Sequence, residues 1–404
     1  MSHHTGYVDR DFIEPHYDTE LVARATALVP LIREHAAEGA ENRRVSPVVM
    51  DALQEAGLMN LFVPERFGGH GATMRTAMEV LGEISRGDGG TGWAASLLNV
   101  CTWFATTFTA EAQEEVFGSN PNAKVCGIFT PPSKMERVDG GYIVSGRWPY
   151  ASGSFAADWA TLGIGLDVPE GEDPRALALF SKDQWRIEPT WFVTGMKGSG
   201  SDTIVIEDQF VPDYRVQSFK KMCEAEYTTP FKGEERNPSM AFIPVAALVL
   251  VSPHIGLARH ALEIVREKLP NKPVAYTSYT AARNSPTHKL GVARAATSFH
   301  LAELLANHAA DLIDHYAFLG RLPDLETRAQ IRNDTGVVHE LVNEGINTLL
   351  TANGAGSFAE ANVLSRIWRD TEIAGRHSLV STELGREVYG QVLLGSDDAL
   401  ILDL

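Results

Sequence analysis

The sequence predicts an α+β chain in three successive regions, helical near residues 1–121, β-rich near 122–232 and helical again over 233–404. Three observations carry this prediction. Apolar residues recur at helical spacing from residue 20 to about 119. Between about 122 and 216 they gather in short β-branched and aromatic runs separated by Gly, Pro and Asp, with no helical crossover of ten or more residues between them, which suggests a barrel or sandwich. A polar stretch over 232–239, containing Gly233 and Pro238, then forms a boundary, and the helical period returns in long segments. At 404 residues, and roughly 150 residues per domain, two or three domains are expected, with ample length for a large core.

The elements follow in order. Ser46 and Pro47 read as the N-cap and first residue of a helix, Leu53 as part of its apolar face and Gly57 as its left-handed C-cap. Met74, Met78, Leu81 and Ile84 fall at i, i+4, i+7 and i+10, a stripe that helical burial alone requires. Strands are expected over 142–144, 159–166, 176–180 and 203–206. Helices are expected over 245–269, 286–316, 326–351 and 359 to about 389.

Composition excludes several classes of function. Hydrophobic residues at 44% and charged residues at 22% suit a globular protein rather than a disordered acidic chain. A net charge of −17 repels nucleic acid and anionic membranes. Cys101, Cys126 and Cys223 are odd in number and lack CxxC spacing, so neither a disulfide framework nor a zinc site is expected, and a cytoplasmic location is. Residues 1–18 lack the apolar core of a targeting segment. No apolar run reaches about 18 residues, the richest, 240–251, being interrupted by Pro244, so no membrane helix is expected.

Two glycine patterns match dinucleotide fingerprints, Gly87-Asp88-Gly89-Gly90-Thr91-Gly92 and Gly354-Ala355-Gly356-Ser357-Phe358-Ala359. A dinucleotide fold needs a strand before such a turn, and both follow helical segments, so they read as helix–helix turns. HExxH, GxSxG, Walker A and EF-hand patterns are absent, and His300 and His308 lack a third ligand at metal-site spacing.

Three motifs in order carry a resemblance: GRWPYASGSFAADWA (146–160), GMKGSGSDTIVIEDQFVP (195–212) and RIWRDTEIAGRHS (366–378). Together with the helix–β–helix order, the chain resembles the acyl-CoA dehydrogenase superfamily from about residue 20 to 390. Within it, the chain is most similar to the oxygenase components of two-component (group D) flavin monooxygenases, such as the 4-hydroxyphenylacetate and secosteroid hydroxylases and the indole oxygenases. The resemblance implies an N-terminal helical domain, a middle β-barrel or sandwich and a C-terminal four-helix bundle. It also implies reduced flavin (FADH2 or FMNH2) and O2 reacting through a C4a-hydroperoxide, a separate NAD(P)H:flavin reductase, a small electron-rich aromatic substrate and a homotetramer. An acyl-CoA dehydrogenase, or an N-oxygenase acting on an amine or amino sugar, is the alternative.

The dehydrogenases need a carboxylate base, in many of them eight residues after an Arg-Asp pair. Counted from Arg369-Asp370, that position is Ser378, preceded by His377. An imidazole suits oxygen chemistry, since it can donate a hydrogen bond or move a proton near neutral pH. His377 and Ser152 are therefore the expected catalytic residues, Ser152 lying where the family holds a hydroxyl near flavin N5. The resemblance places Trp148, Ala151, Ser152 and Gly153 along the isoalloxazine, and Lys197, Ser199 and Ser201 at the ribityl phosphate. Gly354 and Ser357, with the 283–288 region, would reach a neighbouring subunit's flavin. Trp93, Asn99, Cys101 and Ser378 are expected at the substrate pocket. Several phenol hydroxylases carry a His where this chain has Cys101, two residues before Trp103; a buried thiol is a poor proton acceptor, so a substrate electron-rich without ionisation, such as an indole, is expected.

Overall fold

The computed structural model describes residues 17–130, 133–166, 168–235, 239–396 and 398–404. Pro238 of the boundary stretch and most of the opening segment lie outside them. Among the described residues the helix–β–helix order holds, and α1 (Thr19–Asn42), α2 (Pro47–Glu55), α3 (Met74–Gly87) and α4 (Gly89–Ala105) precede the sheets. Met74, Met78, Leu81 and Ile84 are buried on α3, as their spacing requires. Gly57 takes the left-handed conformation. Ser46 stands at the N-cap of α2 but makes no capping bond, its hydroxyl lying 3.5 Å from His35 Nδ1.

The middle region forms two four-stranded sheets. One has the order β1 (Val125–Ile128), β4 (Trp159–Gly165), β5 (Arg175–Ser181), β8 (Val216–Ser218). The other has β2 (Ser133–Val138), β3 (Gly141–Ala151), β7 (Asp202–Pro212), β6 (Arg186–Glu188). All pairings are antiparallel except β1 with β4. The register of β3 against β7 shifts twice, between Val144 and Gly146 and again between Trp148 and Ala151.

After the short helices α5 (Ala110–Gln113), α6 (Phe219–Cys223) and α7 (Phe242–Leu248) come α8 (Ser252–Lys268), α9 (Pro286–Phe318), α10 (Leu325–Asn353), α11 (Val363–Ala374) and α12 (Thr382–Leu394). Helix α10 is the centre of the C-terminal bundle and packs on α8, α9 and α12, while α3 packs on α8 and joins the N-terminal region to it. Two expectations are corrected. The helix over 359 to about 389 is broken into α11 and α12, because a Cβ at Gly375 would lie 2.0 Å from His339 and Ser381 restarts the helix as its cap. The segment Phe242–Lys268 does have the length and hydropathy of a membrane span, although Pro244 interrupts its sequence; 94% of its apolar window is buried, so it is the core of this fold.

The three regions meet at a buried pair of carboxyl groups. Asp88 caps α4, accepting from Thr91 N at 2.9 Å and Thr91 Oγ1 at 3.1 Å, and Arg366 Nε of α11 stands 3.5 Å away. Asp370 of α11 accepts the Met196 N–H at 2.6 Å through Oδ1. Helix α4 can approach the 197–199 turn only because glycines face each other, a Cβ on Gly90 falling 2.9 Å from Gly198 Cα. Burial, and then the neighbouring Asp88, pushes the Asp370 carboxyl up to about 7.

That shift makes stability depend on pH. A carboxyl raised in the folded state contributes its full stabilisation below its unfolded value near 4, and loses it as pH climbs through about 7. Asp370→Asn keeps an acceptor for Met196 and turns its new N–H2 toward Asp88. The variant is expected to gain on the order of 1–3 kcal/mol over wild type at pH 8 and little at pH 5, read by denaturant unfolding at both values. A destabilised variant at pH 8 would refute the neutral Asp370.

Candidate active site

Helix α4 and the end of β3 build one continuous chain of hydrogen bonds. Trp93 sits one turn into α4, where the Asp88 cap fixes its direction, and its Nε1–H donates to Ser152 Oγ at 3.1 Å. Ser152 Oγ is 2.7 Å from Ser201 Oγ, which is 2.7 Å from Ser199 Oγ. Because an indole N–H only donates, Ser152 must accept from Trp93, and its own proton is left for Ser201 or for a ligand. Gly153 N donates to Ser199 O at 2.9 Å. Gly153 adopts φ +74°, and a Cβ there would lie 2.7 Å from Leu98 Cγ, so only glycine closes this turn.

His377 enters from the opposite side, on the turn between α11 and α12. Its ring centroid is 6.0 Å from that of Trp93, at 57°. Leu379 N–H donates to His377 Nδ1 at 3.2 Å, so the imidazole proton resides on Nε2. Burial, and then the Arg332 guanidinium, pull its pKa down to about 4, which keeps the ring neutral near pH 7. The ring keeps some surface exposure, so the shift reflects its crowded surroundings rather than complete enclosure.

Of the residues expected from the sequence, Trp93, Ser152, Gly153, Ser199, Ser201 and His377 are brought together. Ala151 is buried and pairs with Asp202 beside them. The hydroxyls of Ser199 and Ser201 are engaged with each other and with Ser152, so they brace Ser152 instead of pointing at a phosphate. Lys197 is half-buried in the same turn, and the Ser378 side chain is exposed next to His377.

Other expected residues stand elsewhere. Trp148 is fully buried and its Nε1–H donates to Gly163 O at 2.9 Å, which puts it in the β core instead of on a cofactor face. Asn99 spends its amide on backbone, donating to Leu58 O and Ala95 O and accepting from Leu61 N, so it braces a turn. Cys101 is buried against β1, its Sγ 2.9 Å from where a Cβ on Gly127 would be, and burial pushes its thiol well above the ordinary value. Gly354 ends α10 and Ser357 is bonded by Asn353 Nδ2 at 2.8 Å, away from the serine chain. In the 283–288 region, Arg283 pairs with Asn271 and His288 Nδ1 is 2.9 Å from Ser285 Oγ.

Sequence reasoning missed Tyr150, Arg43 and Arg44. Tyr150 is 67% exposed, takes φ +70° and meets Trp191 edge-on at 6.2 Å. A left-handed tyrosine is strained, and such residues collect at functional sites. Simple alternation gives Trp148 and Tyr150 the same face; the bulge separates them, and no spacing signal announces it. Arg43 and Arg44 come from the end of α1. Their guanidinium groups lie over Phe192 at 4.6 Å and Phe155 at 5.2 Å, and a Cβ on Gly200 would be 3.2 Å from Arg43 O. A cavity of about 550 Å³, lined by Arg175, Lys220, Cys223, Arg328 and Leu404, shares no residue with this site. The polar chain, not the cavity, is the candidate site, because it joins buried hydroxyls to an indole N–H.

Comparison with known proteins identifies the family. Residues 23–118 match the family described as acyl-CoA dehydrogenase, N-terminal domain, and residues 248–382 match acyl-CoA dehydrogenase, C-terminal domain. The chain is 32% identical over 376 residues to the flavin-dependent monooxygenase, oxygenase subunit HsaA of Rhodococcus jostii (strain RHA1), covering 91% of this chain and 96% of that one. It is 30% identical to the FADH(2)-dependent resorcinol hydroxylase, oxygenase component, of Rhizobium sp. (strain MTP-10005), over 95% of each. The solved structure of XiaF from Streptomyces sp. in complex with FADH2 and glycerol superposes with a TM-score of 0.90 at 31% identity, over 96% of this chain and 97% of that one. The chain therefore belongs to the acyl-CoA dehydrogenase superfamily, in its branch of flavin-dependent monooxygenase oxygenase subunits.

Proposed function

We propose that this chain is the oxygenase component of a two-component flavin-dependent monooxygenase that hydroxylates a small electron-rich aromatic or heteroaromatic molecule. The observation that carries the reading is the pairing of the Trp93–Ser152–Ser201–Ser199 chain with a neutral His377 whose Nε2–H is free of backbone. The residues fit a flavin. Tyr150 offers an uncovered aromatic face at the rim, Ser152 a hydroxyl with an uncommitted proton, and Lys197, Arg43 and Arg44 cations for a phosphate side. Reduced flavin, FADH2 or FMNH2, supplies the two electrons with which O2 is activated for transfer of one oxygen atom.

The protein's own groups orient and shield. Ser152, held by Trp93 and Ser201, presents its hydroxyl at a fixed place and keeps a proton there. His377 donates from Nε2 without carrying charge. Trp93 closes the space between them and keeps water out. No carboxylate stands among these side chains, so the base that a dehydrogenase needs is missing. Neither glycine fingerprint follows a strand, Gly87 ending α3 and Gly354 capping α10, which supports a separate NAD(P)H:flavin reductase as partner. The chain has Cys101, and no imidazole, two residues before Trp103, which supports a substrate that needs no deprotonation, of the indole type. Cys101, Cys126 and Cys223 are free thiols, consistent with the cytoplasm. Leu290, Leu301 and Leu304 form an exposed apolar stripe on α9, which supports self-association as a homotetramer, a state in which Gly354 and Ser357 would approach a neighbour's site.

Supplied with a generic reductase, NADH and flavin, the chain should oxygenate indole, detected as blue pigment, in preference to simple phenols. Catechol formation from phenols would overturn the inference from Cys101. His377→Ala should divert reduced flavin to hydrogen peroxide, lowering product per flavin oxidised by at least about tenfold, whereas Ser152→Ala should cost about three- to tenfold, the worth of one hydrogen bond. Coupling that stays at the wild-type ratio in both variants would sink the assigned roles. Light scattering on the purified chain should give a mass four times that of the monomer.

A further inference from the structure

One face of α10 is a mould for the segment that carries His377. Arg332, Gly336 and His339 follow one another at i, i+4 and i+7. Arg332 Nη2–H donates to Ser378 O at 2.6 Å. Thr382 Oγ1–H donates to Gly336 O at 2.9 Å, and a Cβ on Gly336 would fall 2.6 Å from Thr382 Cα. His339 fills the space beside Gly375. The turn that presents His377 is thus gripped at its start, middle and end by a single helix.

Arg332 is anomalous in this face. It is 1% exposed, its Nε and Nη1 have no partner, and among the described residues no carboxylate pairs with it. An uncompensated buried cation is unfavourable and is usually replaced without loss by an apolar residue of similar size, so its presence beside an imidazole calls for a cause. The other charged groups near the turn pair elsewhere, apart from Asp334, whose Oδ2 has no partner. Arg376 of α11 pairs with Glu372, and Arg386 of α12 pairs with Glu340 of α10 and with Glu383. Asp334 is bonded by Asn333 Nδ2 at 3.2 Å, and burial holds its carboxyl above the usual range; burial, and then Arg376, hold His339 below its ordinary value. The α7 helix and the turn Val249–Val251 carry no titratable side chain, and α4 contributes Trp93.

We infer that Arg332 is a positioning residue for His377: it holds the Ser378 carbonyl so that the turn aims the imidazole at Trp93, and its uncompensated charge adds to burial in keeping that imidazole neutral with the proton on Nε2. An imidazolium would lose the acceptor at Nδ1 that takes the Leu379 N–H, so neutrality and geometry are the same requirement. The inference rests on the role proposed for His377, and its test is read on the ring itself.

The experiment is a proton-NMR titration of the full-length protein labelled with [13Cε1]histidine, with His377→Asn identifying the resonance. Wild type should keep His377 neutral down to pH 5. Arg332→Met should raise its proton affinity about tenfold, one pKa unit, while burial still holds it below the ordinary value near 6.5. Arg332→Lys keeps the charge and should restore the wild-type titration. The same His377 titration in wild type and R332M, or an R332K shift as large as that of R332M, would overturn the inference. In coupling assays R332M should add an acid limb at low pH and approach wild type at pH 8, whereas a merely structural lesion lowers coupling equally at all pH. If the NMR shift occurs and coupling is unaffected at every pH, the effect of Arg332 on the ring stands and the catalytic role of His377 falls.

Discussion

The site depends on the buried junction of Asp88, Asp370 and Met196. Asp88 caps the helix that carries Trp93; Asp370 grips the backbone just ahead of the turn that carries Ser199 and Ser201; and Asp370 lies on the helix whose end delivers His377. Three segments far apart in sequence are thereby tied within a few ångströms of one another. Two carboxyl groups cannot both ionise there at low cost. Arg366 faces Asp88, while burial, and then Asp88, lift Asp370 to about 7 against the opposing pull of the Met196 N–H, Arg366 and Arg369. Glycines pay the steric side of this junction, since Gly89, Gly90 and Gly195 each stand where a Cβ would strike a neighbouring segment.

Much of the fold was legible in the sequence, for reasons that are local. The i, i+4, i+7 stripe of α3 and the long periodic segments of α9 and α10 state their burial in their spacing, and the short β-rich runs state theirs. What escaped depends on contacts made across the chain. The break at Gly375 comes from His339, 36 residues earlier in sequence, occupying the space that a side chain would need. The apolar length of Phe242–Lys268 was hidden by a proline that a helix accepts near its first turn.

The site was legible in part. Ser152, Trp93 and His377 could be named from motif positions, and they converge. Trp148 and Tyr150 could not be told apart, because a period-2 reading assumes an unbroken strand and the β3–β7 ladder is bulged between them. The serines of the 199–201 turn were expected at a phosphate by resemblance, yet a motif position cannot say whether a hydroxyl faces a ligand or another serine. Asn99 illustrates the same limit: its side chain is polar and well placed, but its bonding capacity is consumed by the 58–61 turn.

The net charge of −17 suggested nothing about this site, and the reason is that two buried groups there take their protonation from local surroundings. Burial, and then Asp88, push the Asp370 carboxyl up to about 7, and burial, and then Arg332, pull His377 down to about 4. A dehydrogenase needs an ionised base at the substrate, and here the nearby carboxyl faces a backbone N–H behind the turn, not the space between Trp93 and His377. On the proposed reading, neutral donors on both sides of that space hold protons in place without drawing in water as counter-charge would. An oxygenase must delay proton loss and exclude solvent until its substrate reacts, and an uncharged, braced lining serves that requirement where a charged one would defeat it.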